Sequence, residues 1–331
     1  MLPSAHSIVR PRSFFRSMRV GVLGSTVSAR PPATIAAVSV SPSVRFSDRL
    51  ADAIDRVGAP VCVGLDPVAD RLPAEFRARS GSDDEAVGLF EFCAGVVEAV
   101  RGHAAAVKPQ SACFERYGPA GMLVLRNVIG AARSAGLVVV LDAKRGDIGT
   151  TAEHYAAAAS GLGADAITVN GYLGPETVEP FLDAGLGVFV LVRTSNPGSD
   201  AVQSARLDDG RTVAEMMAGH VAALGSSRRG ARGLSDAGAV VGATKPADGA
   251  SLRARMPDAP ILVPGYGAQG GTADDVRALV RRGARTPGER GVLVNASRSV
   301  IYAAPNAGER WTVAVQRAAG EMADDLRRVL G

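Results

Sequence analysis

Two rhythms alternate along this chain from residue 59 onward. Short runs rich in valine and isoleucine are followed by longer stretches whose apolar positions recur at spacings of three and four. The runs are PVCVGLD (60–66), AAAVKP (104–109), LVVVLDAK (137–144), AITVNG (166–171), GVFVLVRT (187–194), AVVGAT (239–244), ILVPG (261–265) and GVLVNAS (291–297), eight in all. Between them, EAVGLFEFCAGVVEAV (85–100), PAGMLVLRNVIGAARSAG (119–136) and TADDVRALVRRG (272–283) carry the helical spacing. A strand covered on both faces must be apolar throughout, so this alternation is how a parallel sheet between helices is written. Eight strand–helix units in roughly 250 residues predict an α/β fold, a single-domain (β/α)8 TIM barrel. A doubly wound open sheet is the other arrangement the pattern allows, but no G-x-G-x-x-G follows the first run, where a dinucleotide fold needs it.

Barrels of this kind carry their chemistry where the strands end. Polar residues should then gather at the C-terminal ends of the runs. Asp66 ends the first, Lys108 the second, Asp142 and Lys144 the third, Asn170 the fourth, Thr194 and Ser195 the fifth, and Arg298 follows the eighth. Any one of them reads as a cap or loop residue, but the set points to a site. Strand side chains alternate faces, so Asp142 and Lys144 project from one side; taken alone, the pair also suits a structural salt bridge at a barrel mouth. PGYGAQGG (264–271) leads through Thr272 into a helical pattern and can aim backbone N–H groups at an anion, while Ser297 and Arg298 close the next run. Loops after the seventh and eighth strands are the usual phosphate site in this architecture.

Of the 37 lysines and arginines only three are lysine: Lys108, Lys144 and Lys245. In a chain so biased toward arginine, a lysine marks a position where a planar, permanently charged group will not serve and a transferable proton will. Lys245, in VGATKP, receives no role from the pattern. Hydrophobic residues make up 47% of the chain and aromatic residues 5%, which suits tight helix-on-sheet packing around a large core. No apolar run approaches the roughly 20 residues of a membrane-spanning helix, so no membrane partner is expected.

Cys62, Cys93 and Cys113 lack paired spacing, and His6, His103, His154 and His220 are scattered. Neither set suggests a disulfide framework or a metal site, and the cysteine usage suits a reducing, cytoplasmic setting. Much of the net charge of +4 arises in the first fifty residues. The densest later run, Arg228, Arg229 and Arg232, stands in a loop without aromatic neighbours, so no nucleic-acid partner is expected. Residues 1–46 carry Arg10, Arg12, Arg16, Arg19, Arg30 and Arg45, with no acidic residue before Asp48. That composition resembles a transit peptide, but no amphipathic helix or apolar signal core is visible. The expectation is a disordered extension, or a start upstream of the natural one with Met18 as the other candidate, ahead of a barrel domain at 47–331.

LDAKRGDIGTTAEHY is similar to the D-x-K-x-x-D signature of the orotidine 5'-phosphate decarboxylase family. VCVGLDP, VKPQSACFERYG, VNGYLGPE, VRTSNPGS, VPGYGAQGG and NASRSVIYA stand in that family's order over roughly residues 47–325, and KPQSACFE with VRTSNPG resembles its longer bacterial branch. The resemblance implies cofactor-independent decarboxylation of orotidine 5'-monophosphate to UMP, the last step of pyrimidine synthesis, without a metal. It implies that Asp66 and Lys108 hold ribose hydroxyls, that Asp142 lies beside the substrate carboxylate, and that Lys144 protonates C6 as carbon dioxide leaves. Asp147 would reach across a homodimer interface into the neighbouring site, with Thr151 beside it. Ser195 would contact the pyrimidine, and Gln269 and Arg298 would hold the 5'-phosphate.

The chemistry fits the residue types. Loss of carbon dioxide from C6 leaves an electron pair with no adjacent carbonyl to take it up, so fixed charge must stabilise it and a proton must be supplied. Carboxylates flanking Lys144 favour its ammonium form, and an arginine there would be a poor acid. Two alternatives share the barrel. A metal-dependent sugar-phosphate decarboxylase would need added ligands, for which only Glu153 could be argued, and a non-catalytic phosphate-binding barrel would not need its lysines. Glu115 and Tyr117 read as packing residues of the loop after the second run.

Overall fold

The computed structural model describes residues 44–77, 82–243, 246–267 and 270–331. The segment 1–43, Lys245 and Gln269 lie outside the described residues. Each of the eight predicted runs overlaps a strand: β1 (Val61–Leu65), β2 (Ala106–Pro109), β3 (Val138–Arg145), β4 (Ala166–Val169), β5 (Gly187–Arg193), β6 (Ala237–Val241), β7 (Ile261–Pro264) and β8 (Val292–Ala296), with β6 beginning two residues before its run. They pair in parallel in chain order, and β8 returns to β1 through Val61 opposite Val294 and Cys62 opposite Asn295, closing a (β/α)8 barrel.

Helix α1 (Phe46–Val57) precedes the first strand. The helices of the outer ring are α2 (Ser82–Val100) after β1, α3 (Ser111–Glu115) and α4 (Gly118–Ser134) after β2, α5 (Gly149–Leu162) after β3 and α6 (Glu179–Asp183) after β4. They continue with α7 (Asp200–Gln203) and α8 (Val213–Gly225) after β5, α9 (Pro246–Arg255) after β6, α10 (Ala273–Arg277) after β7, and α11 (Arg298–Ile301) with α12 (Trp311–Leu330) after β8. The helical pattern at 272–283 is shorter than its spacing predicts. Thr272 opens α10 with a reciprocal cap to Asp275, but from Leu279 the chain tightens into i→i+3 turns and Arg281 N–H turns to the carbonyl of Arg290. Tertiary hydrogen bonding outcompetes a marginal helix there.

Strand parity divides the core in two. Outward side chains such as Val63, Val107, Val139, Ile167, Val188 and Val190 pack under the helices. Inward ones, including Cys62, Ala106, Val140, Ala166, Phe189, Leu262 and Leu293, meet Phe46, Leu50 and Ile54 of α1, which plugs the N-terminal end of the barrel. Phe46 lies edge-on to Phe189 with centroids 5.9 Å apart. A side-chain carbon on Gly187 would sit 2.0 Å from the Phe46 ring, so that strand must begin with glycine. Asp236 fastens the plug by accepting from the backbone N–H and hydroxyl of Ser47, each at 2.9 Å, and from Arg45 at 3.0 Å. The arginines of the 228–232 loop face carboxylates at this same end: Arg228 pairs with Asp183, Arg229 with Asp258 at 2.8 Å, and Arg232 with Asp52 and Asp55.

Phe46→Ala should leave a cavity that the closed strands cannot collapse, costing about 3–5 kcal/mol. A lower urea midpoint with unchanged turnover in native buffer is the expected result, because the plug sits at the end of the barrel opposite the strand termini that bear the polar residues.

Candidate functional site

Asp142 is the centre of the C-terminal mouth. Its position in β3 points its carboxylate into the barrel, where only 6% of the residue is exposed, and four donors converge on it. Lys108 Nζ donates to Oδ2 at 2.7 Å and Gln110 Nε2 to the same oxygen at 3.2 Å. Lys144 Nζ donates to Oδ1 at 2.6 Å and the Thr168 hydroxyl to the same oxygen at 2.9 Å. A carboxylate offers about four acceptor positions, and here each has a donor. Asp66 extends the array: its Oδ1 lies 4.0 Å from Lys108 Nζ, is buried, and has no hydrogen-bond partner.

Two lysines meet at one carboxylate, and the charges of Asp142 and Lys108 are held in place. Burial alone would raise the Asp142 carboxyl, but Lys108 and Lys144 outweigh it and hold the group well below the usual carboxylate range. Burial alone would likewise lower Lys108, yet Asp142 and Asp66 raise it well above an ordinary lysine. The Cys62 thiol in the layer beneath is pushed up to about 12 by burial, which leaves it inert. Exposure separates the two lysines: the Lys108 side chain is 5% exposed and that of Lys144 is 46% exposed.

Backbone geometry delivers Lys144 to this place. Among the described residues it is the only non-glycine with positive φ, at 48°, a left-handed conformation that costs on the order of 1–3 kcal/mol and persists where surrounding contacts over-determine it. The β3–β4 register shifts between Leu141 and Arg145, which lets the strand turn Lys144 back over Asp142. Arg145, one residue on, pairs with Glu115, which in turn accepts from Ser111 at 2.6 Å. Glu115 is therefore an anchor of the loop after β2 rather than packing alone.

The other predicted residues surround this array at the strand ends. Asp147 is half-buried and its carboxylate accepts from the backbone of Ile148 at 2.9 Å; among the described ion pairs none joins it to Lys144 within the chain. Thr151 is exposed in the first turn of α5. Ser195 packs so closely on β6 that a side-chain carbon at Gly242 would lie 3.0 Å from its Cβ. Arg298 is exposed at the start of α11, beside the glycine turn after β7. In that turn Gly265, Gly267 and Gly270 all have positive φ, and Gly267 N–H donates to Gly271 O at 2.9 Å. Gly267 faces Ser299, whose hydroxyl would lie 3.4 Å from an added carbon, so the turn and the α11 start form one rim.

Several residues of the mouth escaped the strand-end reading. Gln110 and Thr168 join the carboxylate, while Asn295 lies inside β8 with a buried Oδ1 that has no partner. Their signal was parity: Thr168 follows Ala166, and Asn295 follows Leu293, on the inward face of otherwise apolar strands. Arg193, buried at the end of β5, is a further node. It pairs with Asp248 at 2.7 Å and with Asp200, and donates to Ser199 at 3.1 Å. Ser199 and Gln203 in turn hold the backbone of Thr194, so this arginine ties down the loop that carries Ser195. Among the described residues no group of three or more His, Cys, Asp or Glu is placed to hold a metal ion, and Glu153 is exposed on α5.

Charge that alternates in sign across the C-terminal mouth of a closed parallel barrel puts the chain among the (β/α)8 enzymes. Comparison with known proteins narrows this. The model of the orotidine 5'-phosphate decarboxylase / HUMPS family matches residues 59–311, and the chain belongs to that family. It is 44% identical over 273 residues to an orotidine 5'-phosphate decarboxylase of Rhodopirellula baltica, covering 78% of this chain and 88% of that protein. A second from Salinispora tropica is 43% identical, with 86% and 98% covered. The OMP decarboxylase of Leishmania donovani superposes with a TM-score of 0.69 at 34% identity, covering 86% of this chain and 98% of that one.

The array also sets a pH dependence of stability. Asp142 has a folded value below its unfolded one, so its contribution is present above about pH 3.9 and is lost as pH falls through the depressed value. Lys108, raised on folding, contributes fully below about pH 10.4 and loses that contribution as pH rises from there through its raised folded value. Urea midpoints should therefore hold steady with respect to this pair between these limits. Below about pH 3.9 the wild-type midpoint should fall more steeply than that of Asp142→Asn; parallel slopes would show that the carboxylate does not carry the linkage.

Proposed function

We propose that the chain removes carbon dioxide from orotidine 5'-monophosphate to give UMP, the reaction named for its relatives at 40% identity and above. The observation that carries the reading is the Lys108–Asp142–Lys144 array, with one ammonium sealed and the other open at the barrel mouth. The C6–carboxylate bond of the substrate breaks and its electron pair stays on C6. Lys144 gives C6 a proton and is left as a neutral amine, which its exposure lets solvent reprotonate. Asp142 positions the Lys144 amine through their contact until that transfer and lies next to the departing carboxylate. Preorganised charge of this kind stabilises the developing anion without reorganising at the moment of reaction.

The remaining roles follow the same logic. The unpartnered Asp66 Oδ1, next to Lys108, suits a ribose hydroxyl donor. Gln269 and Arg298 hold the 5'-phosphate at the glycine-rich rim, and Ser195 contacts the pyrimidine from the tethered β5 loop. Asp147, which makes no described ion pair with Lys144 of its own chain, and Thr151 complete the site of a second copy, so the working form is a homodimer. No cofactor enters the reaction, and a cytoplasmic location fits it.

With orotidine 5'-monophosphate in EDTA, the near-ultraviolet absorbance of the substrate should decay. Lys144→Ala should lose about 10²–10⁴-fold in kcat, the usual weight of a positioned acid; undiminished turnover would remove Lys144 from the mechanism. Mixing inactive Asp142→Ala and Asp147→Ala chains should regenerate activity at heterodimer sites that keep both carboxylates. A mixture as dead as its components, in a sample that sedimentation shows to have exchanged subunits, would rule out shared sites.

A further inference from the structure

Thr168 is 1% exposed on the inward face of β4, and its hydroxyl makes two bonds that end on the same neighbour pair. It donates to Asp142 Oδ1 at 2.9 Å and accepts from the backbone N–H of Lys144 at 3.0 Å. The direction of the first bond is forced. An ionised carboxylate can only accept, so the single hydroxyl proton points at Asp142 and the lone pairs are left for Lys144 N–H. Lys144 Nζ meets the same Oδ1 at 2.6 Å, which closes a ring through the backbone of residue 144, its own side chain, the carboxylate and the hydroxyl.

The ring coincides with a backbone irregularity of the site. Lys144 is left-handed at φ 48°, and the β3–β4 ladder breaks register there, so its N–H finds its acceptor in a side chain instead of a neighbouring strand. A strained residue holds such a conformation only while something fixes it. From this geometry we infer that Thr168 is a positioning residue for the proton donor. It sets the Lys144 backbone through one bond and the Asp142 rotamer through the other, without touching the substrate. The inference rests on the proposed role of Lys144 and names the element that aims it.

The test separates the hydroxyl from the volume of the side chain. Thr168→Val keeps the shape and removes both bonds, Thr168→Ala removes them with a different volume, and Thr168→Ser keeps the hydroxyl. Val and Ala variants should each lose roughly 10- to 100-fold in kcat, the scale of a misplaced reacting group, with little change in KM. Serine should restore most of the rate. A thermal melt of each variant shows that the folded fraction is being compared, and if the valine protein does not fold, the alanine–serine contrast decides alone. Wild-type kcat in Thr168→Val or Thr168→Ala, or a serine variant as impaired as both, would overturn the inference. Lys144→Ala measured alongside keeps the two readings apart: an active Lys144→Ala sinks the proton-donor role, whereas an inactive one beside a fully active Thr168→Val sinks only the positioning role.

Discussion

The mouth of this barrel depends on a buried carboxylate held between two ammonium groups. Taking such charges out of water costs several kcal/mol for each ion, and mutual attraction offsets that only with good geometry and full hydrogen bonding. Asp142 meets the condition through four donors from three different strands or their ends. Lys108 is the buried ammonium of the set, and removing it would leave the carboxylate poorly compensated and the mouth strongly destabilised. That completeness is also what makes it useful. Asp142 and Lys108, which stay charged over the physiological range, form a field in place before substrate arrives.

The rest of the fold is arranged to hold that field rigid. Closure of β8 onto β1 brings Ser297 over Gly64 so tightly that a side-chain carbon there would lie 1.9 Å from the serine hydroxyl oxygen. Tyr302, just after α11, accepts from the backbone of Val68 at 2.8 Å and stacks on Phe92, so the loop after β1 is pinned across the same seam. Apolar packing by α1 secures the opposite end, where nothing chemical is asked of the strands. The division matches the general behaviour of (β/α)8 barrels, in which one end serves stability and the other function. Arg193 belongs to the functional end although it is a charge buried for structural reasons: its carboxylate partners come from α7 and α9, and it fixes the loop after β5.

The strands were the legible part of the fold, because a strand buried on both faces leaves an unbroken apolar run that no other element imitates at that length. Asp66, Lys108, Asp142 and Lys144 were legible for a related reason, as charged residues ending such runs. What escaped was of two kinds. The short α10 was set by a competing tertiary hydrogen bond at Arg281, which no local periodicity encodes. Thr168, Gln110 and Asn295 lie within or beside the runs, where a single neutral polar residue looks like ordinary strand composition. Only inward parity gives them away, and parity becomes decisive once the pairing register is known. The left-handed turn at Lys144 was hidden further still, since lysine carries none of the glycine or asparagine preference that announces such a conformation.

The three-lysine economy of the chain takes on a sharper sense in this geometry. Lys108 and Lys144 touch the same carboxylate, yet they are chemically unlike. Lys108 is sealed in, with Asp142 and Asp66 raising its affinity for the proton, and a group so held is a poor donor. Its fixed positive charge is its contribution. Lys144 reaches the same carboxylate from a side chain that is nearly half exposed, which is what the proposed reaction asks of its proton donor. An arginine would suit neither position well: Lys108 is a compact ammonium sealed between Asp142 and Asp66, and the proposed reaction needs at residue 144 a group that can part with its proton. The strained backbone at residue 144 thus separates the two roles, because it is what lifts one ammonium to the surface of the mouth while the other stays in the floor.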